Sequence, residues 1–552
     1  MCLKVNWLEF YMSLKVRKKK NSSGSTSIHI VDRTNRGYKV VESLGSSSNK
    51  TETESLYYRA LSRIDEIEKN LLYISKNNDK KMQLKDLLSG VTTDNFIPIG
   101  DELIFGKLFD DIGCNKLFEN TNGNLRKIDE KIFLFRSLVI SRLLYPGSKL
   151  ELIHYLEYFK KRDINIYKIY RFLDTLYQDD VKANIESCVF EHTKKVMDNQ
   201  IVLTFYDVTT LHFESESEDD LKRIGFSKEG KLARPQIQLG LFTTLEGYPL
   251  SYEVYEGNKY EGHTLIDILK KFQSRFQIES KPIVVADRGM LTNANIAYLE
   301  NNNYTYILAY KIKNISNELK EQIANLVFVN DGTIHTIDIK DKTIEYKDEH
   351  EQKQKLTINQ KLIVSYSSKR AKKDKRTREK ALEKIEARLN QKNIKKSDLK
   401  LSYYAKYLDI SDGCSIKYTL NQNKVLQDEK LDGLKGFATN DFTLKPNDVI
   451  AHYSNQYEVE RAFRISKTDL KIRPIYHRLE SRIKAHVLIS FVSYAIYKEF
   501  ERKLKTNKVK FNFSQKFLRK IIEHFIALKI DDEIIPINPS EIQKQILDAI
   551  EN

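Results

Sequence analysis

Four cysteines occur in 552 residues, and Cys2, Cys114, Cys188 and Cys414 lie too far apart for the short-spaced pairs of a zinc knuckle or a redox motif. They read as ordinary reduced thiols. Long apolar runs are also missing. Residues 1–20 mix Trp7, Phe10 and Tyr11 with the basic cluster Arg17–Lys20 and lack the apolar stretch of a signal peptide, so the chain is expected to stay in the cytosol. The most apolar late segment, Val487–Tyr497, is too short to span a bilayer and is broken by Ser490 and Ser493, which makes it a buried core helix. Tryptophan occurs once, against an abundance of Lys, Ile, Asn and Tyr, the pattern of an AT-rich coding sequence. That bias accounts for part of the +16 net charge, from 92 Lys+Arg against 76 Asp+Glu. The remainder favours a polyanion, nucleic acid being the commonest, although charge alone does not separate DNA from RNA or a membrane.

The length predicts roughly two to four domains. Residues 1–54 hold a basic segment, a small β-hairpin from Ser27–Val31 and Tyr38–Ser43, and a Ser-rich linker. From 55 to 199 the apolar residues recur at helical spacing, as at Ile132, Phe135, Val139 and Leu143, predicting a helical domain that either binds DNA or serves as a scaffold. At Ile201 the pattern changes. Strand runs at Ile201–Val208, Gln236–Thr244, Leu250–Tyr255, Pro282–Ala286 and Tyr304–Tyr310, with helical stretches at Thr264–Phe276 and Asn293–Asn302, predict an α/β fold over 200–310. In such folds ligands gather at the carboxyl ends of strands. Residues 311–431 read as an insertion with a basic helical run, Lys369–Lys396, and 432–503 as the second part of the α/β domain. Within that part a long helix is predicted from about Asp448 to Arg473, stopped by Pro474, and residues 504–552 read as a helical tail.

Phosphodiester chemistry asks a protein for charge neutralisation and in-line positioning, commonly through two divalent cations held by carboxylates. Asp207 and Asp287, each after an apolar strand, are the first two candidates, and Gly289 would let the backbone turn sharply towards a phosphate. A lone aspartate there more often starts a turn or caps a helix, but two at equivalent strand ends raise the functional reading. The third candidate is Glu460. On one continuous helix Tyr453, Gln456, Tyr457, Glu460, Arg464, Lys467 and Lys471 share a face at three- and four-residue steps, beside the apolar Val459, Ala462 and Phe463. For the charged stripe alone, a solvated salt-bridged helix is the more economical reading. His263, His477 and His486 read as structural, since hard cations prefer oxygen.

These residues resemble a family. Tyr, two residues, Arg, three residues, Glu, six residues, Lys is the helix signature of one branch of bacterial insertion-sequence transposases with a DDE catalytic domain, and Tyr453, Glu460 and Lys467 fall in register with it. The Arg position is Gln456. The phrases Tyr206-Asp207-Val208-Thr209-Thr210, Ala286-Asp287-Arg288-Gly289-Met290, Tyr366-Ser367, Asp432-Gly433 and Arg473-Pro474-Ile475-Tyr476-His477 also resemble that branch, over roughly residues 15–500. The resemblance implies an RNase H-like catalytic fold with an insertion between the second Asp and the Glu, preceded by a mainly helical N-terminal domain. It implies Asp207, Asp287 and Glu460 as catalytic metal ligands, with Mg2+ or alternatively Mn2+ as two ions. Arg288, Tyr453, Gln456, Arg464, Lys467 and Lys471 are the implied DNA contacts. The implied substrate is double-stranded DNA, both terminal inverted repeats and target, gripped by a homodimer in a synaptic complex at the bacterial nucleoid. Similar proteins commonly begin near the basic segment, making Met12 an alternative start. A hydrolytic nuclease of the same fold and a decayed DNA-binding repressor are the competing readings; the full trio argues against decay, and the Tyr and Lys of the helix argue against simple hydrolysis.

Overall fold

The computed structural model describes residues 14–34, 37–69, 89–118, 125–177, 179–227, 230, 233–276, 281–348, 350–389, 406–411, 417–509, 515–530 and 533–551. Met12 and residues 390–396 of the basic run lie outside them. The chain divides into two units, residues 1–172 with 496–552 and residues 173–495.

The first unit opens with three antiparallel strands, β1 (Leu14–Lys20), β2 (Thr26–Thr34) and β3 (Gly37–Ser47), in the order β1-β2-β3. The expected hairpin thus gains a third strand from the basic cluster, whose lysines mask the period of two. The helix Lys50–Lys69 lays Ala60 and Ile64 on Leu14, Ile28 and Ile30. Helices follow at Leu125–Leu144 and Lys149–Lys160, around a ring cluster of Phe109, Phe118 and Phe135. The buried Asp101 accepts from the Tyr155 hydroxyl and, at 2.7 Å, from Lys160 Nζ. β4 (Phe96–Pro98) pairs with Ile526–Ile530, itself paired with Glu533–Pro536. The segment 504–552 is therefore not purely helical: its β-branched runs are too short for helix and complete a three-stranded sheet instead.

The second unit is built on one eight-stranded mixed sheet. Its strands are β5 (Leu203–His212), β6 (Gln236–Thr244), β7 (Pro249–Glu256), β8 (Ile283–Ala286), β9 (Tyr306–Tyr310), β10 (Ile334–Lys347), β11 (Lys353–Tyr366) and, after the two-stranded ribbon β12 (Leu408–Ser411) and β13 (Lys417–Leu420), β14 (Leu434–Thr439). The order is β10-β11-β14-β9-β8-β5-β6-β7. β5, β6 and β7 are antiparallel neighbours, and β5-β8 and β8-β9 are parallel. One face packs on the helices Thr264–Arg275 and Asn293–Asn301 through Tyr206, Val208, Phe242, Leu265, Phe272, Val284 and Leu299. The other receives the helix Tyr457–Thr468 against β5 and β6.

The helix Asp179–Val196 also belongs to this unit, which therefore starts ahead of residue 200. Its fully buried Glu186 accepts from Ser251 Oγ and the Tyr252 amide, both at 3.0 Å, and pairs with Arg275. Residues 334–366 do not form a separate insertion: β10 and β11 extend the central sheet, because β11 pairs with β14 from Lys361↔Thr439 to Tyr366↔Leu434. Among the described residues, 368–389, 406–411 and 417–430 leave the sheet, around a small core of Ala381, Ile385, Tyr407, Leu408 and Val425. The chain returns at Gly433, whose φ is +82 and where a Cβ would come within 2.7 Å of the Tyr366 ring, so only glycine fits. Val487, Leu488, Ile489, Phe491 and Val492 are buried, as expected for a core helix, and no described helix is long and apolar enough to cross a membrane.

Candidate active site

Strand register brings the two aspartates together. The parallel pairing of β5 with β8 runs from Leu203↔Ile283 to Tyr206↔Ala286; Asp207 is the next residue of β5, and Asp287 is the first residue after β8. Neighbouring strands lie ~4.8 Å apart, so the side chains leave the sheet side by side at one level. Asp207 lies within β5 rather than at its end, but it is the one residue of that strand not fully buried. Its Oδ1 accepts from the Val208 amide at 2.8 Å. Behind it, on the opposite face, burial and then the Asp207 charge hold the Tyr206 phenol well above its usual range, so it stays neutral and donates to Thr264 Oγ1 at 2.8 Å. β8 ends at Ala286, and Asp287 enters the 3-10 turn Arg288–Met290. A Cβ on Gly289 would meet only Glu261 Oε2 at 3.5 Å, so the turn itself does not demand glycine. The side chain of Arg288 lies outside the described residues.

The single helix expected over 448–473 is two helices, Pro446–Ser454 and Tyr457–Thr468. At the junction the amides tighten to a three-residue step, Gln456 N to Tyr453 O at 3.0 Å and Glu458 N to Asn455 O at 3.0 Å, an overwound turn that re-aims everything after it. Thr468, not Pro474, ends the second helix, and Lys471 sits beyond it at a φ of 46. The charged stripe is therefore not one face. Tyr453 stands on the first helix and Gln456 is buried at the junction; Glu460, Arg464 and Lys467 ride the second, with Val459, Ala462 and Phe463 buried beneath them as expected.

Two residues of the signature hold the aspartates' scaffold. The Tyr453 hydroxyl donates to Asp287 Oδ1 at 3.1 Å, its ring against Phe437. Lys467 Nζ donates to Thr209 Oγ1 at 2.6 Å, fastening the glutamate helix to β5 two positions from Asp207 on the same face. Arg461 pairs with Glu458 at 3.5 Å, while Arg464 is exposed.

Asp207, Asp287 and Glu460 all line one open cavity of about 540 Å³, together with Tyr453, Gln456, Tyr457 and the ends of β11 and β14. Tyr366, Ser367 and Lys435 on those strand ends were not among the site residues read from the sequence; the Tyr366-Ser367 phrase was their one signal. The donor set, three carboxylates, suits a hard divalent cation. The three share the cavity without closing on one point: among the described residues no three His, Cys, Asp or Glu side chains are grouped to hold an ion. Like charges repel, and two of the three are engaged by protein donors.

A model of the transposase DDE domain matches residues 198–496, more than half of the chain and the whole of this sheet and its carboxylates. The chain belongs to the DDE transposase family. It is accordingly a DDE transposase, an enzyme class whose domains work with divalent metal ions. Among solved structures the chain is similar to a piggyBac transposase in a synaptic complex with hairpin DNA, at 10% identity and a TM-score of 0.37, covering 77% of this chain and 78% of that one. So loose a superposition carries no argument about residues. No curated protein matches the chain significantly.

Proposed function

We propose that this transposase cleaves and joins DNA strands at the terminal inverted repeats of an insertion sequence, with Asp207, Asp287 and Glu460 as its metal-holding carboxylates on an RNase H-like fold. The observation that carries the reading is that three carboxylates from a strand, a turn and a helix border one open cavity. The RNase H-like assignment rests on the sheet, in which three antiparallel strands, β5 to β7, are followed by the parallel β8 and β9.

In this reading the trio holds two Mg2+ ions, or Mn2+, which when bound neutralise charge on the attacked phosphate and on the departing oxygen. The chain's own residues do the positioning. Tyr453 fixes the orientation of Asp287, the Val208 amide that of Asp207, and Lys467 the distance of the Glu460 helix from β5. Arg464, Lys471 and the cavity-lining Lys435 are exposed cations that would contact phosphates of the DNA end. A homodimer would hold two such ends and the target DNA.

The test uses labelled duplexes carrying the DNA that flanks the gene. Asp207→Asn, Asp287→Asn and Glu460→Gln should each abolish end cleavage while leaving duplex binding within about threefold, because affinity comes mainly from phosphate contacts elsewhere. Chelating the divalent cation should do the same. Strand-transfer products from the unaltered protein separate a transposase from a hydrolytic nuclease; cleavage without joining would overturn the proposal, as would a carboxylate variant that still cuts.

A further inference from the structure

The N-terminal sheet sorts its charges by face. Leu14, Ile28 and Ile30 point to the helix Lys50–Lys69. The register then puts Asp32, partner of Leu14, and Glu42, partner of Ile30, on that same side, where Glu42 meets Arg63 of the helix at 3.6 Å. Alternation sends Lys15, Arg17 and Lys19 of the edge strand β1 to the opposite face. Their row continues through His29 and Val31 of β2, of which Val31 is only 5% exposed, to Val40 and Tyr38 of β3. Arg17 lies over the Tyr38 ring at 3.3 Å, which confirms that the two share this face. Tyr38 and Val40, near the start of the edge strand β3, are 49% and 45% exposed. Among the described residues this face carries cations, an aromatic ring and an aliphatic side chain, and no acid.

We infer that this cationic face is the chain's duplex-DNA reader, laid into the major groove. The inference rests on the proposed action on DNA and names the element that recognises it. Three strands ~4.8 Å apart span roughly 10 Å between their outer backbones, which fits a groove about 12 Å wide. A cationic edge strand then follows the phosphates of one groove wall, while Tyr38 and Val40 reach the base edges, where an aliphatic or aromatic contact reads a thymine methyl. All the acidic side chains of the described sheet being turned away towards the helix is what such a seat requires.

The test measures full-chain binding to a duplex of the flanking DNA and to a shuffled duplex of equal composition, between 50 and 200 mM salt. Replacing Lys15, Arg17 and Lys19 together by Gln should lower the slope of log affinity against log salt by about 2 to 3, since each phosphate contact contributes about 0.9. Over that fourfold salt range the unaltered protein then loses roughly 40-fold more affinity than the variant. Lys15→Gln and Lys19→Gln alone, at exposed positions that leave the fold intact, should each take away about one unit. Tyr38→Ser with Val40→Ser should erase the preference for the flanking duplex and leave the slope unchanged. The inference is overturned by an unchanged slope, by an equal effect from Lys18→Gln on the helix face, or by equal binding of an RNA duplex, whose deep, narrow major groove excludes a sheet. If the unaltered chain binds no duplex at all, the proposed function fails as well; if it binds and these variants bind identically, only this inference fails.

Discussion

Tyr453→Phe isolates the positioning of Asp287, one of the proposed metal-holding carboxylates. The variant removes a single donor, the hydroxyl that reaches Asp287 Oδ1 at 3.1 Å, and keeps the ring that packs on Phe437 with centroids 4.9 Å apart. A hydrogen bond to a charged group contributes about 1.5–3 kcal/mol. The distance is long for an O–H donor and the site is open, so the lower end applies, and about 1.5 kcal/mol corresponds to roughly tenfold in rate. Because water can replace the lost donor at a half-exposed carboxylate, the melting temperature should move by less than about 2 °C. Single-turnover cleavage of a flanking-DNA duplex across a magnesium series is the assay. About a tenfold slowing is expected at low cation, recovered in part at high cation as binding itself orients the carboxylate. An unchanged rate at every concentration would refute the positioning role; a large fall in melting temperature with no change in cation dependence would make Tyr453 a structural residue.

Lys467→Met should destabilise the second unit by about 1–2 kcal/mol through the lost bond to Thr209, and Thr209→Val with Lys467→Met should cost no more than either alone; additive losses in denaturant melts would show that the two do not interact. Neutralising the exposed Lys369, Lys372, Lys373 and Lys375 of the helix Ser368–Leu389 should flatten the salt dependence of DNA affinity, whereas Arg378→Gln, which breaks the buried contact with Asp432, should lower the melting temperature and leave the slope alone. Gln456→Arg should raise end cleavage by restoring a cation beside the cavity; if neither it nor Arg464→Ala changes cleavage, the signature's Arg position has no function in this chain.

The strands beside Asp207 and Asp287 were legible because an apolar run leads up to each acid, although β5 continues past Asp207, and the contrast of one half-buried residue among buried ones is visible in Phe205-Tyr206-Asp207-Val208 itself. The break at Asn455 and Gln456 was not. Both residues keep right-handed helical backbone and the apolar spacing continues across them, so periodicity reads one helix where hydrogen bonding makes two. β10 and β11 fall in the stretch that reads as an insertion because their place in the sheet depends on β14, and no local pattern announces that Leu362 will face Ala438. β1 was hidden by its own lysines: of its residues only Leu14 is buried, too little alternation to read as a strand.

The placement of β14 between β9 and β11 sets a timetable for synthesis. Both neighbours precede it in the chain, so until the ribosome has passed Thr439 they present bare inner edges that invite wrong pairing. The Glu460 helix follows at once, at Tyr457–Thr468. A nascent chain that has not passed Thr439 therefore has Asp207 and Asp287 but neither a complete sheet nor Glu460, and the cavity that the three carboxylates border forms only once the Glu460 helix has been made.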